Sequence, residues 1–205
     1  LITAGGTREA IDPVRFIGNR SSGKQGIALA KAARDRGAQV HLIAANCDVA
    51  DLKGIEVIEV ETTSQMQNAL QSHFDQCNIL IMSAAVADAR PSHVAQEKIK
   101  KASLSSIELE ANPDLLVEIA ARKSTQILVG FAAETKDHLQ EARRKLEAKG
   151  LDVIYVNDVS GGAIFGQDTT MGTILIRNEA DIAVKEVSKD ALSNTLLDQA
   201  IRQLG

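Results

Sequence analysis

The amino-acid sequence predicts an α/β fold: a Rossmann-like three-layer sandwich with a mostly parallel sheet, a lysine-bearing flap and a C-terminal antiparallel hairpin. Short apolar runs alternate with amphipathic stretches along the chain, which is the pattern of βαβ units. Aromatic residues make up only 2% of the 205 residues, so the core must be built from aliphatic side chains, as in sheets covered by helices. Turn-prone residues separate two apolar runs near the carboxyl end, which is typical of a hairpin.

Strands and helices follow one another in the order that a parallel sheet requires. The apolar runs are predicted strands, because each is too short for a helix and most are rich in β-branched residues. They are Leu1–Ala4, Gln39–Ala44, Glu56–Val60, Asn78–Met82, Gln126–Phe131 and Val153–Val156. The amphipathic stretches carry start or stop signals and are predicted helices. They are Gly23–Arg36, Thr63–Phe74, Pro113–Arg122, Asp137–Lys149 and Ser188–Leu204.

Two stretches depart from this alternation. Thr173–Ile176 and Ile182–Val184, separated by the turn-prone Asn178–Asp181, predict the antiparallel hairpin. Asp88–Leu109 is polar, carries lysines and holds no long apolar helix, so it is predicted to be a flap that leaves the sheet. The sequence shows no internal repeat and no low-complexity linker, so residues 1–205 are predicted to form a single domain.

The composition limits the classes of partner. The net charge of −4 gives no overall attraction for nucleic acid or anionic lipid, so an anionic ligand must be held by a local cluster. Cys47 and Cys77 lack metal-type spacing and are interpreted as reduced structural residues. No apolar run approaches membrane-spanning length and no signal segment opens the chain, which predicts the cytoplasm. Because Leu1 opens directly in a strand, we expect a piece of a longer protein.

Two small-residue segments follow the first strand. Gly5-Gly6-Thr7 permits a tight turn and a close backbone approach to a ligand, although a Gly-Gly turn is as often purely structural. Ser21-Ser22-Gly23 precedes the first helix, where backbone N–H groups and the helix dipole attract an anion. Alternatively, Ser22 only caps the helix. Arg15 and Asn19 lie on the long loop between the segments and favour a binding site there.

A third candidate segment follows the fourth predicted strand. Ala84 and Ala85 are small enough to let a ligand lie against the backbone, and Asp88 could hold a metal–phosphate complex or a sugar hydroxyl. The flap then carries Glu97-Lys98-Ile99-Lys100-Lys101. A lysine cluster is usually a solvated surface, but beside Asp88 in an acidic protein it favours a triphosphate.

The second half of the chain offers weaker signals. Asn112-Pro113-Asp114 marks a helix start. Phe131, at the end of a strand, could stack on a base or pack in the core. Lys145 and Lys149 share a helix face and could interact with the helix dipole or reach a nucleotide. Zinc and hydrolase sites are weak hypotheses, because the histidines show neither ligand spacing nor a Ser/His/Asp order. The histidines are His41, His73, His93 and His138.

Taken together and in order, these motifs resemble phosphopantothenate–cysteine ligase, also called phosphopantothenoylcysteine synthetase. In bacteria this family is usually the carboxyl-terminal half of a bifunctional coenzyme A biosynthesis protein. The resemblance spans nearly the whole chain. The matching segments are Thr3–Glu9, Asp12–Ile17, Asn19–Lys24, Ala84–Asp88, Lys98–Lys101, Asn112–Asp114, Gly130–Thr135, Asn157-Asp158 and Phe165-Gly166.

The resemblance implies a CTP-dependent ligation with Mg²⁺. The carboxylate of 4′-phosphopantothenate attacks the α-phosphate of CTP, which gives an acyl-cytidylate and pyrophosphate, and the cysteine amine then displaces CMP. By motif, Lys98 stabilises the first transition state, and Asn19, with Arg15 beside it, serves the second step.

The resemblance also assigns binding positions. The CTP-binding positions are Ala84, Ala85, Asp88, Lys98, Pro113, Asp114, Leu115, Leu116, Phe131, Lys145 and Lys149. Substrate or phosphate would lie against Gly5, Gly6, Thr7, Ser21, Ser22 and Gly23. The metal ligands are not assigned, beyond Asp88 acting through the CTP phosphates.

Partners and departures from the family pattern complete the resemblance. The family is a homodimer with substrate sites near the interface, and the full-length protein is expected to carry a flavin-dependent phosphopantothenoylcysteine decarboxylase domain. No FMN chemistry is expected of this chain.

Gly18 stands where a serine is usual, Ala89 where an aromatic residue is common, and Asp168-Thr169-Thr170 where the run is richer in amides. None of these changes removes a proposed catalytic side chain.

Two rival functions remain open from the sequence. A non-catalytic nucleotide-binding or regulatory module would keep the phosphate loops, but binding alone should not require both Asn19 and Lys98. A nicotinamide-dependent dehydrogenase is disfavoured, because the G-x-G-x-x-G spacing and an obvious Tyr/Lys proton relay are missing.

Overall fold

A mixed β-sheet forms the middle layer of the molecule. The computed structural model describes residues 1–101, 104–134, 138–158 and 167–205. The strands of this sheet are β1 (Ile2–Gly5), β4 (His41–Ala45), β5 (Glu56–Val60), β6 (Ile79–Met82), β9 (Ile127–Glu134), β10 (Val153–Asp158), β11 (Thr169–Ile176) and β12 (Ile182–Ser188). Within the described ranges their order is β12-β11-β10-β9-β6-β1-β4-β5.

The direction of the strands matches the prediction. The six strands β5, β4, β1, β6, β9 and β10 pair in parallel with one another, in that order. β11 runs antiparallel to both β10 and β12, which makes the predicted C-terminal hairpin. The hairpin strands are longer than predicted, because the pairing continues through Thr169 and Ser188 beyond the apolar residues. The mostly parallel sheet with an antiparallel end is therefore confirmed.

Helices cover both faces of the sheet. On one face, α1 (Lys24–Asp35) and α5 (Lys189–Arg202) contribute Leu29 and Leu196 to a core of aliphatic residues. On the other, α2 (Thr63–His73), α3 (Leu115–Ala120) and α4 (His138–Ala148) contribute residues such as Leu70, Ile119 and Leu146. Alternate strand residues enter the two cores, as the two-residue period of a strand requires. The three-layer sandwich is confirmed.

Capping residues fix where the helices begin. Thr62 and Gln65 form a capping box at the start of α2, and Ser188 caps α5 as predicted. α3 is shorter than predicted and begins after Asp114, whose carboxylate accepts from the backbone N–H of Val117. Asn112 does not cap it, because the side-chain oxygen that would accept at a cap accepts from the Arg90 guanidinium at 2.8 Å instead.

Two short antiparallel ladders were not predicted. β2 (Arg8–Ala10) pairs with β3 (Phe16–Gly18), and β7 (Ala89–Pro91) pairs with β8 (Leu109–Ala111). The second ladder closes the base of the predicted flap, so the segment leaves the sheet and returns to it as an anchored excursion. Each strand has only three residues, which is too short for a recognisable alternating pattern.

Some predictions fall on residues outside the described ranges. These are Thr135, the Asp137 start of the fourth helix and Phe165-Gly166. Among the described residues, no helix is both long enough and apolar enough to cross a bilayer.

Candidate functional site

A cleft of about 390 Å³ opens at the carboxyl ends of the parallel strands. It lies where the chain segments that follow the neighbouring strands β1 and β6 diverge, which is the point at which open α/β sheets bind ligands. The beginning of α1, the loop after β6 and the ends of the strands beyond β6 form its walls. Its lining residues are Ser21, Ser22, Gly23, Lys24, Gln25, Ser83, Ala84, Ala85, Val86, Asp88, Phe131, Ala132, Lys145, Asn157, Thr170 and Lys189.

The amino end of α1 faces this cleft. Gly23 occupies the cap position with φ of 76°, and no side chain caps the first turn, so the interpretation of Ser22 as a cap is wrong. A Cβ on Gly23 would lie 2.5 Å from that of Cys47, so only glycine fits there. An uncapped helix end offers N–H groups and a positive dipole to an anion.

Lysines from three helices line the cleft. Lys24 belongs to α1, Lys145 to α4 and Lys189 to α5. Lys24 pairs with Asp168 at 2.6 Å, so one of the departures from the family pattern holds a cleft lysine. Burial and the charge of Lys24 lower the pKa of Lys189. Burial is the larger cause of this shift. The positive potential that attracts a polyanion to this otherwise acidic protein comes from the grouping of the three lysines at the cleft.

The loop from Ala84 to Asp88 is held from below by hydroxyl groups. The Thr3 hydroxyl accepts from the N–H of Ala84 at 3.0 Å, and the Thr7 hydroxyl accepts from that of Ala87 at 2.8 Å. The backbone of Gly5 accepts from the N–H of Ala85 at 2.9 Å. Thr7 is fully buried, so it supports the cleft wall from beneath instead of facing a ligand.

A buried carboxylate extends this support. Glu9 is 5% exposed and accepts from the hydroxyl and the N–H of Thr63, at 2.7 and 2.9 Å. The Asn112 amide donates to the Thr63 hydroxyl at 3.2 Å and to the Ala87 carbonyl at 2.8 Å. Asn112 therefore ties the start of the flap to α2, and the exposed Asp88 is presented at the cleft from a fixed backbone.

A chain of hydrogen bonds underlies the opposite wall. The Thr170 hydroxyl donates to Oδ1 of Asn157 at 3.0 Å, so the Tyr155 hydroxyl, 2.9 Å away, must donate to Thr170. This arrangement leaves the amide nitrogen of Asn157 for the cleft. Phe131 packs edge-on against Tyr155 with ring centroids 5.7 Å apart, and it also lines the cleft. Both predicted roles of Phe131, core packing and contact with a ligand, are therefore compatible with its place.

Asn19 lies beside the cleft, and Arg15 precedes it in the segment between β1 and α1. The exposed Asn19 donates from Nδ2 to the carbonyl of Val86, a cleft residue, at 3.1 Å. The Arg15 guanidinium forms an ion pair with Asp12 and also donates to the carbonyl of Ile99 at 2.9 Å. Arg15 is thus held by the protein itself in this structure.

Asp12 and Arg15 together fasten the flap. The Asp12 side chain is fully buried and accepts from the N–H of Ile99 at 3.1 Å, while Arg15 donates to the carbonyl of the same residue. The N–H of Ala95 donates to the carbonyl of Ile11 at 3.0 Å. Lys98, which is exposed, immediately precedes the fastened residue. We call this set, Asp12, Arg15 and Ile99, the flap clamp.

Several predicted nucleotide-binding residues lie outside the cleft lining. Asp114 caps α3 and pairs with Lys149 at 2.6 Å, which joins α3 to the end of α4. Leu115 is 2% exposed and belongs to the core. Pro113 and Leu116 are half-buried beside it. In this structure these residues hold α3 and α4 together. A ligand in the cleft would have to extend beyond the lining residues to contact them.

Sequence reasoning missed some cleft residues. Lys189 and Thr170 come from the C-terminal hairpin and helix, and they reach the cleft only because α5 folds back against α1. Gln25 follows the recognised motif and could have been predicted from its place in the first helical turn. Asp12 was noted only as part of a motif, since a sequence gives no sign that a carboxylate is buried.

Comparison with known families identifies the chain. A sequence model of the family described as "DNA/pantothenate metabolism flavoprotein C-terminal domain" matches residues 1–204. The chain belongs to this family. The match covers all of the elements that form the cleft and the flap, so the site described above is a site of the family domain.

Curated relatives carry the family domain as part of a longer protein. The chain is 44% identical over 211 residues to the coenzyme A biosynthesis bifunctional protein CoaBC of Mycolicibacterium smegmatis, covering 97% of the chain and 51% of that protein. It is 45% identical over 202 residues to CoaBC of Bacillus subtilis, covering 97% and 50%. The chain therefore spans about half the length of the curated relatives it matches.

Solved structures of the family share the fold. The C-terminal domain of a CoaBC protein superposes with a TM-score of 0.86 at 33% identity, covering 99% of this chain and 93% of that one. A family protein of Streptococcus pneumoniae superposes with a TM-score of 0.81 at 24% identity, covering 98% and 96%. Together with the sheet order, these likenesses confirm the predicted fold class.

Proposed function

We propose that the chain ligates 4′-phosphopantothenate to cysteine at the expense of CTP, through an acyl-cytidylate, as a phosphopantothenate–cysteine ligase of coenzyme A biosynthesis. The observation that carries the proposal is the cleft itself, where an uncapped helix end and lysines from three helices converge at the branch point of the sheet. This is the electrostatic setting that a nucleoside triphosphate needs. Similarity to the CoaBC proteins supports the substrate class.

In the first step, the substrate carboxylate attacks the α-phosphorus of CTP and pyrophosphate leaves with the electron pair of the broken P–O bond. Negative charge grows on the phosphoryl oxygens and on the leaving group. Lys98, on the exposed part of the flap, supplies a flexible point charge for the reacting phosphorus. Lys24, Lys145 and Lys189 would hold the remaining phosphates against the start of α1.

In the second step, the cysteine amine attacks the acyl carbon and CMP leaves, after which the amine loses a proton. Asn19 is suited to orient the intermediate, because its amide already lies within hydrogen-bond distance of the cleft residue Val86. Its carbonyl oxygen stays available to accept from the substrate. Arg15 acts through the flap clamp, so we assign it a positioning role in place of direct catalysis.

The residues at the cleft fit a Mg²⁺ ion only in part. Asp88 is an exposed carboxylate on the lining and is a suitable oxygen ligand, whereas the other cleft charges among the described residues are lysines. One carboxylate plus substrate phosphates is the usual way in which Mg²⁺ binds with a nucleotide. When bound, the ion would neutralise triphosphate charge, and Asp88 would orient the phosphates through it.

The division of labour can be tested with two variants. Lys98→Gln should abolish pyrophosphate release from CTP and phosphopantothenate, because the first transition state loses its cation. Asn19→Asp should still release pyrophosphate but accumulate the acyl-cytidylate, detectable by mass spectrometry after acid quench. Lys53→Gln, on an exposed loop far from the cleft, is the matched charge control. Failure of both variants at the same step would contradict the assignment.

We also propose that the chain acts as a homodimer through the surface formed by β3 and the base of the flap. Val14, Phe16 and Leu109 are 61%, 50% and 53% exposed. Val14 and Phe16 lie on the β2–β3 hairpin that leads to Asn19, and β2 of this hairpin contacts β7, the partner of the strand that bears Leu109. Apolar side chains grouped in this way favour a protein partner. A second copy docked there would bring its own Arg15–Asn19 loop close to this cleft, as the family resemblance implies.

Replacing Phe16 tests this interface. Phe16→Asp should shift the mass measured by light scattering from dimer to monomer, because a charge cannot be buried without a partner. Leu139→Asp, another exposed apolar residue but on α4, should leave the mass unchanged. A monomeric wild-type protein, or a Phe16→Asp variant that is still dimeric, would contradict the proposal.

The remaining proposals concern the longer protein. Because the relatives are named bifunctional and the chain spans half of each, we propose that the full protein also carries a flavin-dependent phosphopantothenoylcysteine decarboxylase domain. The cytoplasm remains the proposed compartment.

A further inference from the structure

A second group of chemically active side chains lies at the opposite edge of the sheet. His41 and Glu56 are the first residues of β4 and β5 and are direct partners in the parallel register. His73 is the last residue of α2, which packs across these strands. Sequence spacing gave no indication of this group, because the fold brings together residues from three elements.

The potential ligand atoms of these residues lie close together. One such atom from each of His41, Glu56 and His73 lies within 4.8 Å of the other two. Nδ1 of His41 is 3.3 Å from Oε2 of Glu56, and the two imidazole rings have centroids 5.5 Å apart. Nδ1 of His41 is buried, and although it lies near Glu56 it makes no hydrogen bond of acceptable geometry to any described residue. A buried ring nitrogen without a hydrogen bond is costly, and a bound cation held with the Glu56 carboxylate would satisfy it.

The orientation and the neutral tautomer of the His73 ring are set by its own helix. Nδ1 of His73 lies 2.8 Å from the backbone carbonyl of Ala69. A carbonyl oxygen can only accept, so Nδ1 carries a proton, and in the neutral ring the lone pair is on Nε2. This is how metal-binding histidines are commonly oriented in proteins, with the second nitrogen donating to a carbonyl.

We propose that His41, Glu56 and His73 bind a divalent transition-metal ion of the Zn²⁺ class. Two imidazoles and one carboxylate match the ligands of zinc, whereas Mg²⁺ and Ca²⁺ prefer oxygen alone. A tetrahedral ion with bonds of about 2.0–2.1 Å needs its ligands about 3.4 Å apart. The Glu56 side chain is 62% exposed and can rotate to complete that closure.

The surroundings suit a site with one open coordination position. A cavity of about 410 Å³ adjoins the group and is lined by His41 and His73. Three protein ligands leave a fourth tetrahedral position for water or a small ligand that enters from this cavity. The bound ion would also fasten the end of α2 to the starts of β4 and β5. This site is separate from the nucleotide cleft, which lies at the other ends of the strands.

Metal titration of the chelator-treated protein tests the proposal. ZnCl₂ should bind with one-to-one stoichiometry by calorimetry and raise the melting temperature, since an ion that binds only the folded state stabilises it. CoCl₂ should give the intense visible absorption of a four-coordinate ion. MgCl₂ should produce neither effect at this site. The readout is binding, so it succeeds or fails independently of the ligase reaction.

Variants identify the ligands. His41→Ala and His73→Ala should weaken Zn²⁺ binding by at least about tenfold and remove the Co²⁺ spectrum. Glu56→Gln should also weaken binding, and because position 56 is exposed, this variant still tests the site if a histidine variant fails to fold. His93→Ala is the matched histidine control on the flap. Cys77→Ser should leave Zn²⁺ binding unchanged, which would exclude the Cys77 thiol as a ligand. This thiol lines the same cavity, and burial raises its pKa. Unchanged binding in all three ligand variants, or no binding by the wild type, would overturn the proposal.

Discussion

At the scale of single residues, substitutions can directly test the hydrogen-bond chain beneath the cleft. Tyr155 is fully buried and its hydroxyl has Thr170 as its partner, while Thr170 in turn donates to Asn157. Thr170→Val keeps the shape but leaves the Tyr155 hydroxyl unpaired. We expect a loss of about 1–3 kcal/mol in the free energy of unfolding, measured with urea.

A second substitution separates the hydrogen bonds from packing. Tyr155→Phe in the Thr170→Val background removes the unpaired hydroxyl, so the double variant should cost less than the sum of the single variants. Strictly additive losses would show that the two hydroxyl groups do not act as a unit. The CTP dissociation constant of Thr170→Val should also rise, because Asn157 loses the contact that orients its amide.

At the scale of elements, the start of α1 depends on a glycine. Gly23 and Gly37 have similar backbone angles, with φ of 76° and 85°, but only Gly23 is crowded. Gly37→Ala should cost about 1–2 kcal/mol for the left-handed conformation alone. Gly23→Ala should cost more, because its Cβ would clash with Cys47, and it should weaken CTP binding as the helix end shifts. Equal losses of stability would contradict this account of the helix start.

The flap clamp is the second element-scale feature. Asp12→Asn removes the charge that holds Arg15 and weakens the bonds to Ile99, so Lys98 should be poorly positioned. We expect the rate of pyrophosphate release to fall between about 10- and 100-fold, with faster hydrogen exchange in residues 92–101. Asp51→Asn, on an exposed loop, is the control. A lower rate without faster exchange would assign Asp12 a different role.

The clamp also gives a pH dependence of stability. The hydrogen bond from Arg15 holds the pKa of Asp12 well below its usual range. A carboxylate whose pKa is lower in the folded than in the unfolded protein contributes its full stabilisation at pH values above the unfolded pKa of about 3.9. This contribution is lost as the pH falls below that value toward the folded pKa. The difference in stability between the wild type and Asp12→Asn should therefore be largest above about pH 4 and shrink in acid.

Much of the element structure could be predicted from sequence, for physical reasons. The strands of the parallel sheet are nearly continuous apolar runs, because both of their faces are buried. Thr62, Ser188 and the glycines after helices are local signals, since a cap acts within one turn. Asn112 shows the limit of such signals. Its amide oxygen accepts from Arg90 and its amide nitrogen donates to Thr63 and Ala87, so Asp114 caps α3 in its place. These partners are distant in sequence from Asn112.

At the scale of the whole molecule, the sheet order decides which residues meet. β1 lies between β4 and β6, so the loops after β1 and β6 diverge and leave the cleft between them. α5 returns the end of the chain to α1, which brings Lys189 to the same cleft. Motifs near Gly23, Asp88 and Phe131 predicted the cleft, because each follows a strand. Lys189 and the Asp12 clamp depend on topology and burial, which a sequence pattern does not contain.

The most direct test of the proposed function follows the products of one reaction mixture. The wild-type protein with CTP, phosphopantothenate and cysteine should form pyrophosphate, CMP and phosphopantothenoylcysteine in equal amounts, and ATP should not replace CTP when the two compete. Binding of CTP without pyrophosphate release would favour a non-catalytic module. Consumption of NADH with a carbonyl substrate, and no pyrophosphate from CTP, would contradict the ligase outright.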